Sequence, residues 1–162
     1  MTFEERATTG ALVWRLAMRW RVALDRAVAP LGLTQAQYTV LASLRGLTAG
    51  GEQPSQRRLA EFTGLEPIYV SKLVSALERA GLVERRRDPA DARALQMSLT
   101  ERGIAVADEA IGVVHDLHHQ LTAPLGGPDG RPTRALRAAL QTLLDADPGS
   151  APDPSPRTGD EP

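Results

Sequence analysis

The side chains best placed to do chemistry in this 162-residue chain are small hydroxyls and cations repeated at helical spacing. Ile68, Ser71, Lys72, Ser75 and Arg79 fall on one side of a helix predicted from Pro67 to Ala80. That face is narrow, mostly small and basic, which suits close approach to a nucleic-acid groove. The serines can donate or accept, Lys72 and Arg79 can reach guanine acceptors or phosphates, and Ile68 can lie against a thymine methyl. Pro67 and Tyr69, in the same first turn, complete the candidate contacts on this helix. An ordinary solvated face has a similar composition, so the helix alone decides nothing.

Its neighbours decide more. The reverse stripe, Val70, Leu73, Val74 and Leu77, recurs at i, i+3, i+4, i+7 and predicts one buried side. Pro67 marks the first helical position and Gly81 the left-handed stop. Upstream, Ser55 is expected to cap a short helix in which Leu59, Ala60 and Phe62 face inward while Arg57 and Arg58 stay outside, placed for phosphates. Downstream, Leu82 to Arg87 and Ala94 to Leu99 read as a hairpin, with Leu95, Met97 and Leu99 inward and Gln96 and Ser98 outward. Its loop, Asp88-Pro89-Ala90-Asp91-Ala92-Arg93, is flanked by Arg85, Arg86 and Arg87. A stiff loop tipped with arginine suits a narrow A·T-rich minor groove, where negative potential concentrates.

Taken together, LAEFTGLEPIYVSKLVSALERAGLVERRRDPADAR at 59–93 and LTERG at Leu99 to Gly103 resemble the MarR family of winged helix-turn-helix transcriptional regulators. The likeness runs from about Gly10 to Leu144. It implies that the Pro67 helix enters the major groove of a double-stranded DNA operator. It also implies that Arg93 enters the minor groove with Asp91 orienting it. Ala92 stands where that family often has a second arginine. The fold implied is mainly α with a small two-stranded β wing, a winged helix-turn-helix carrying N- and C-terminal dimerisation helices. The DNA-binding set expected is Arg57, Pro67, Ile68, Tyr69, Ser71, Lys72, Ser75, Arg79, Arg86, Asp91 and Arg93. Repression of transcription by a homodimer, relieved by a small aromatic or phenolic effector, is the implied activity. The alternative is a winged-helix protein interaction scaffold that does not bind DNA, and charge reversal on the Pro67 helix and at Asp91/Arg93 separates the two.

Composition bounds the rest. The chain is 42% apolar, enough for one sizeable core. It has no cysteine, which excludes disulfides, thiolate metal sites and thiol redox sensing. No run is apolar enough to span a bilayer and no signal-peptide core opens the chain, so a cytoplasmic location without membrane attachment is expected. No nucleophile elbow, phosphate loop, paired-carboxylate arrangement or zinc-hydrolase signature is present, so no enzyme and no cofactor is expected. The formal net charge of −1 argues against a nucleic-acid binder until the tail is set aside. Residues 147–162 carry four acidic side chains against Arg157, a net of −3, which leaves +2 for residues 1–146. Arginine supplies eighteen of the nineteen basic residues, and Lys72, on the groove face, is the only lysine.

The flanking segments supply the scaffold. Ala11 to Val28 carries two apolar stripes, Leu12, Leu16, Trp20, Leu24, Val28 and Trp14, Met18, Val22, where a surface helix needs one. A second subunit is the economical partner for the extra stripe. Thr34 and Gln37 form a capping box for the next helix, and 46–54 reads as a flexible connection. Thr100 is expected to cap a long helix running through Leu125, and Thr133 to open a last one with Leu136, Leu140, Leu143 and Leu144. The resulting organisation is one domain over 1–146, with a DNA-binding lobe at about 33–100 and dimerisation helices at 10–30 and 100–146. Trp14, Met18, Tyr38 and Ile111 are the candidates to line an effector pocket. His115 and His119 stand at i, i+4, but the second helix offers only Gln35, Gln37 and Tyr38 to complete a site, so no metal is assigned.

Residues 147–162 are rich in proline and acid and lack aromatics, so disorder is expected there. Deleting residues 148–162 is therefore expected to leave dimerisation and Tm nearly unchanged, as read by light scattering and calorimetry; a large loss of either would show that the tail is structural.

Overall fold

The computed structural model describes residues 8–87 and 95–146. Their elements run α1 (Thr9–Val28), α2 (Gln35–Ala49), α3 (Gln56–Thr63), α4 (Pro67–Arg79), β1 (Val83–Arg87), β2 (Leu95–Leu99), α5 (Glu101–Thr122) and α6 (Arg131–Asp145), with short 3₁₀ turns at Ala29–Leu31 and Ala123–Leu125. β1 and β2 pair antiparallel in the register Val83↔Leu99, Arg85↔Met97, Arg87↔Leu95. This is a winged helix: mainly α, with a two-stranded wing. Among the described residues no helix is long and apolar enough to cross a membrane. Contacts divide the chain into two compact units, 1–118 and 119–162.

The first unit is built on one apolar cluster, in which Val40, Leu41, Leu44, Leu59, Val70, Val74, Leu77 and Met97 are sealed from solvent. Burial of a valine or leucine side chain stabilises by about 1.5–3 kcal/mol, so the cluster, not local propensity, fixes where α2, α3 and α4 sit. Capping refines their ends. Thr34 Oγ1 accepts from the Gln37 amide at 3.2 Å while the Thr34 amide donates to Gln37 Oε1 at 2.9 Å, the reciprocal box expected. Ser55 Oγ accepts from the Arg58 amide at 3.2 Å. An unforeseen cap comes from α1, where Asp25 Oδ1 accepts from the Gln35 amide at 2.7 Å.

Several expectations are corrected. The connection at 46–54 is helical through Ala49, because Leu47 extends the buried stripe of Leu44 and outweighs the roughly 1 kcal/mol helix cost of Gly46. Its remainder pairs with the wing: the Met97 amide donates to the Pro54 carbonyl at 3.0 Å, and Ser55 bridges Gln96. Phe62 is 53% exposed and lies beneath the Arg58 guanidinium, 5.7 Å from its ring centre, instead of in the core. Leu95 is also exposed, since the hairpin outruns the cluster that covers Met97 and Leu99. The two stripes of α1 are not corrected: Leu12, Trp14, Leu16 and Val22 are exposed, Met18, Trp20 and Leu24 are half-buried, and Val28 alone is buried on that helix. α5 ends at Thr122, because Pro124 has no amide to continue it, and Leu125 falls in the 3₁₀ turn.

The second unit corrects the start of the last helix. α6 begins at Arg131, with Gly130 as N-cap and Pro132 in its first turn. Thr133 is buried and its hydroxyl lies 2.7 Å from the Gly127 carbonyl oxygen and 3.3 Å from that of Leu125, so it ties the preceding turn instead of opening the helix.

At the end of α4 the chain turns within a tight clamp. Gly81 takes φ 70°, which lets the Leu82 amide donate to the Leu77 carbonyl at 3.0 Å. The Thr100 amide then donates to the Leu82 carbonyl at 3.1 Å, and the Thr100 hydroxyl to the Gly81 carbonyl at 2.7 Å. Thr100 Oγ1 also accepts from the Gly103 amide at 2.9 Å and so caps α5, as expected. Gly103 presses against this turn so closely that a Cβ there would stand 1.9 Å from the Leu82 carbonyl oxygen. Gly103→Ala is therefore expected to lower stability by about 2 kcal/mol or more through forced backbone movement. Gly46→Ala, whose Cβ would meet nothing within 4 Å, is expected to raise it by up to about 1 kcal/mol. Urea melts of the two variants check the opposite signs; a neutral Gly103→Ala would mean that the clamp is loose.

Candidate nucleic-acid interface

α4 presents two chemically distinct sides. Val70, Leu73, Val74 and Leu77 are buried, as predicted. On the other side Ile68, Ser71, Lys72, Ser75 and Arg79 line a shallow open groove together. Ile68 is 75% exposed, so none of the described residues covers the apolar end of that groove. Surface substitutions away from caps and networks change stability by about 0.5 kcal/mol or less. Apart from Ser75, which accepts from Arg85, the groove face is thus free of the demands that fix its reverse. Pro67 stands in the first turn, and Tyr69 is exposed on the same turn but is not part of the groove lining.

Two of the candidate arginines, Arg57 and Arg86, carry carboxylate partners. Arg57 on α3 lies 3.0 Å from Glu61, with its side chain 88% exposed. Arg86 on β1 lies 2.8 Å from Glu84, whose other contact is the Ser98 hydroxyl at 3.1 Å. Arg79 Nε donates to the Ser75 carbonyl at 3.3 Å, folding its stem along α4. Asp91 and Arg93 lie outside the described residues.

The sequence presents Arg85, Arg86 and Arg87 as one run beside the wing loop, of which Arg86 alone is expected to meet DNA, and the structure sets Arg85 apart from the other two. Arg85 pairs across the hairpin with buried Met97 and so points to the covered face, where Nη2 donates to Ser75 Oγ at 2.9 Å and Nη1 lies 3.5 Å from Glu78. The signal that could have found it is the two-residue period of the strand, which puts position 85 on the same side as Val83.

The other candidate residues are spread out. Trp14 is exposed on α1, Ile111 is exposed on α5, and Tyr38 is partly buried against the core, where desolvation raises its phenol above the ordinary value. Met18 borders a cleft with Arg19, Val22, Ala23 and Arg26 that includes none of the other three. His118 stacks at a tilt near Trp20, ring centres 5.8 Å apart, and His115 Nδ1 is 3.8 Å from Asp116. Among the described residues no group of three or more histidine, aspartate or glutamate side chains is placed to hold a metal ion.

Comparison with known proteins bears on what this surface meets. The model of the MarR family matches residues 31–94. An uncharacterised HTH-type transcriptional regulator of Bacillus subtilis (strain 168), YdcH, is 33% identical over 108 residues, which are 67% of this chain and 74% of that protein. Similar solved structures include complexes with DNA. The transcriptional repressor CouR bound to a 23-mer DNA duplex is 30% identical, with TM-score 0.71, covering 89% of this chain and 94% of its own. A cysteine-to-serine mutant of MarR from E. coli complexed with operator DNA is 26% identical, with TM-score 0.75, covering 89% of this chain and 99% of its own. With the family model matched over the helix-turn-helix and the first wing strand, and a regulator 33% identical over most of its length, the chain belongs to the MarR family of DNA-binding transcriptional regulators.

Proposed function

We propose that the protein is a homodimeric repressor that binds a pseudopalindromic operator and is released from it by a small aromatic or phenolic ligand. The observation that carries the reading is the α4 groove: exposed Ile68, Lys72 and Arg79 and half-buried Ser71 and Ser75, all able to read or approach a base edge, on a helix whose opposite side is locked into the core. In this reading Ile68, Ser71, Lys72, Ser75 and Arg79 enter the major groove with Pro67 and Tyr69 at its lip. Arg57 and Arg86 exchange their carboxylates for phosphates, and Arg93, oriented by Asp91, enters the minor groove.

Two-fold symmetry then places the α4 helices in successive major grooves, with half-sites about one helical turn, roughly 10 bp, apart. The open apolar side chains of α1, and separately Leu136, Leu143 and Leu144 of α6, support dimerisation. Water-facing leucines and tryptophan at that density are what a subunit interface would cover. The organisation proposed keeps the lobe at about 33–100 and the dimerisation helices at 10–30 and 100–146. Effector binding near Trp14, Met18, Tyr38 or Ile111 would shift the population toward spacings of the two α4 helices that no longer fit DNA.

A gel-shift titration of the purified protein on DNA upstream of its own coding sequence, at several salt concentrations and with excess non-specific competitor, tests the reading. Specific binding is expected, with log affinity falling steeply with log salt, by about 0.9 for each phosphate neutralised. Absence of any specific shift there and in a genome-wide selection of sites would instead favour a scaffold. In the same assay Arg93→Ala is expected to weaken operator binding by about 1–3 kcal/mol with Tm unchanged. Unchanged affinity would remove the wing arginine from the mechanism.

A further inference from the structure

Arg85 stands apart from the rest of the arginine run. Its side chain is only 23% exposed, held over α4 by Ser75 Oγ at 2.9 Å and Glu78 Oε2 at 3.5 Å. Its Nε is buried and, among the described residues, meets no acceptor. This guanidinium is therefore not displayed to solvent as Arg86 is, and it donates at 2.9 Å to a member of the α4 groove.

The consequence falls on Ser75. A serine hydroxyl has one proton to donate and two lone pairs to accept with, and on a helix it commonly returns its proton to the carbonyl four residues back. Here one lone pair is filled by Nη2 of Arg85. A guanidinium has no acceptor, so the Ser75 proton cannot point at it, and a neighbouring cation turns the hydroxyl dipole so that its hydrogen faces away. Among the described residues no oxygen takes that proton. Ser75 is thus left presenting a donor from a helix face that lines the open groove.

Resting on the operator-binding reading, we infer that Arg85 fixes Ser75 as a hydrogen-bond donor, and that the pair determines specificity at one base pair of each half-site. An unconstrained serine suits donors and acceptors alike. A serine fixed as donor favours an acceptor at that point of the major groove, guanine O6 or N7, adenine N7 or thymine O4, and disfavours the amino groups of cytosine N4 and adenine N6. Arg85 touches no base in this arrangement; it is a positioning residue acting through Ser75.

The test is a selection from randomised duplexes, followed by affinity measurements on every single-base variant of the selected site, for the full chain and for Ser75→Ala, Arg85→Met and the double variant. Arg85→Met keeps the unbranched apolar stem and removes the guanidinium. Both single variants are expected to lose discrimination at the same base pair of each half-site, by roughly five- to tenfold, with preferences elsewhere unchanged. In the Ser75→Ala background Arg85→Met is expected to add nothing at that position. Should Arg85→Met not fold, Glu78→Gln loosens the same guanidinium and is expected to relax the same position by a smaller factor. Equal weakening on all sequences, as a structural prop or a phosphate contact would give, overturns the inference, and so does an unchanged preference profile. A wild-type chain that selects no motif at all overturns the operator-binding reading itself, which separates the two failures.

Discussion

A helix that reads from one side has to be gripped from the other, and in this chain the grip on α4 is completed at its far end by backbone-to-backbone contact. The left-handed Gly81 bends the chain back, the Leu82 carbonyl accepts from the Thr100 amide, and the bare Cα of Gly103 lets α5 close on that turn. Three consecutive devices, a positive-φ glycine, a threonine whose hydroxyl both donates and accepts, and a glycine with no room for a methyl, serve one junction. Each alone is replaceable in principle. Together they make the start of α5 a fixed continuation of the end of α4, so a displacement of one cannot leave the other in place without breaking at least one of these bonds.

That junction gives meaning to the division of labour on α4. The buried stripe supplies the stability, in units of about 1.5–3 kcal/mol per side chain, while the groove face supplies almost none and is chemically unconstrained by folding. Ser75 is the exception, being tied to Arg85 of the wing strand. The wing is thereby attached to the helix at two levels, through apolar contact in the core and through a polar contact at its rim, and the Pro54–Met97 hydrogen bond fastens its other edge.

Much of this was legible in the sequence because periodicity and punctuation agreed. The stripe of Val70, Leu73, Val74 and Leu77, Pro67 before it and Gly81 after it each pointed to the same helix, and Thr34 with Gln37 announced a capping box that formed. What escaped was set by tertiary contact. Gly46 read as a breaker and is helical because Leu47 finds the core. Phe62 read as core and is exposed because a helix of eight residues has one buried side, already occupied by Leu59 and Ala60. Thr133 looked like a cap and instead turns its hydroxyl toward two carbonyls of the preceding turn. The shared face of Ile68, Ser71, Lys72, Ser75 and Arg79 on α4 was legible from helical spacing, but the inward turn of Arg85 was hidden within a run of three arginines.

The carboxylates beside those arginines explain how a chain with a formal net charge of −1 can still be built to meet a polyanion. Glu61 faces Arg57, Glu78 faces Arg85 and Glu84 faces Arg86. Exposed pairs of this kind contribute about 0–1 kcal/mol, so they do little for the fold, but they hold the long side chains in place and screen their charge from distant ions. Under the operator-binding reading the outer pairs, at Arg57 and Arg86, are exchangeable: a phosphate arriving in register replaces a weak intramolecular partner, whereas random polyanion contact must displace it without the base contacts of α4 to compensate. The inner pair at Arg85 is not exchangeable, because its guanidinium is enclosed. Local charge pairing thus separates arginines that grip the backbone from one that orients a reader, a distinction that net charge and composition cannot express.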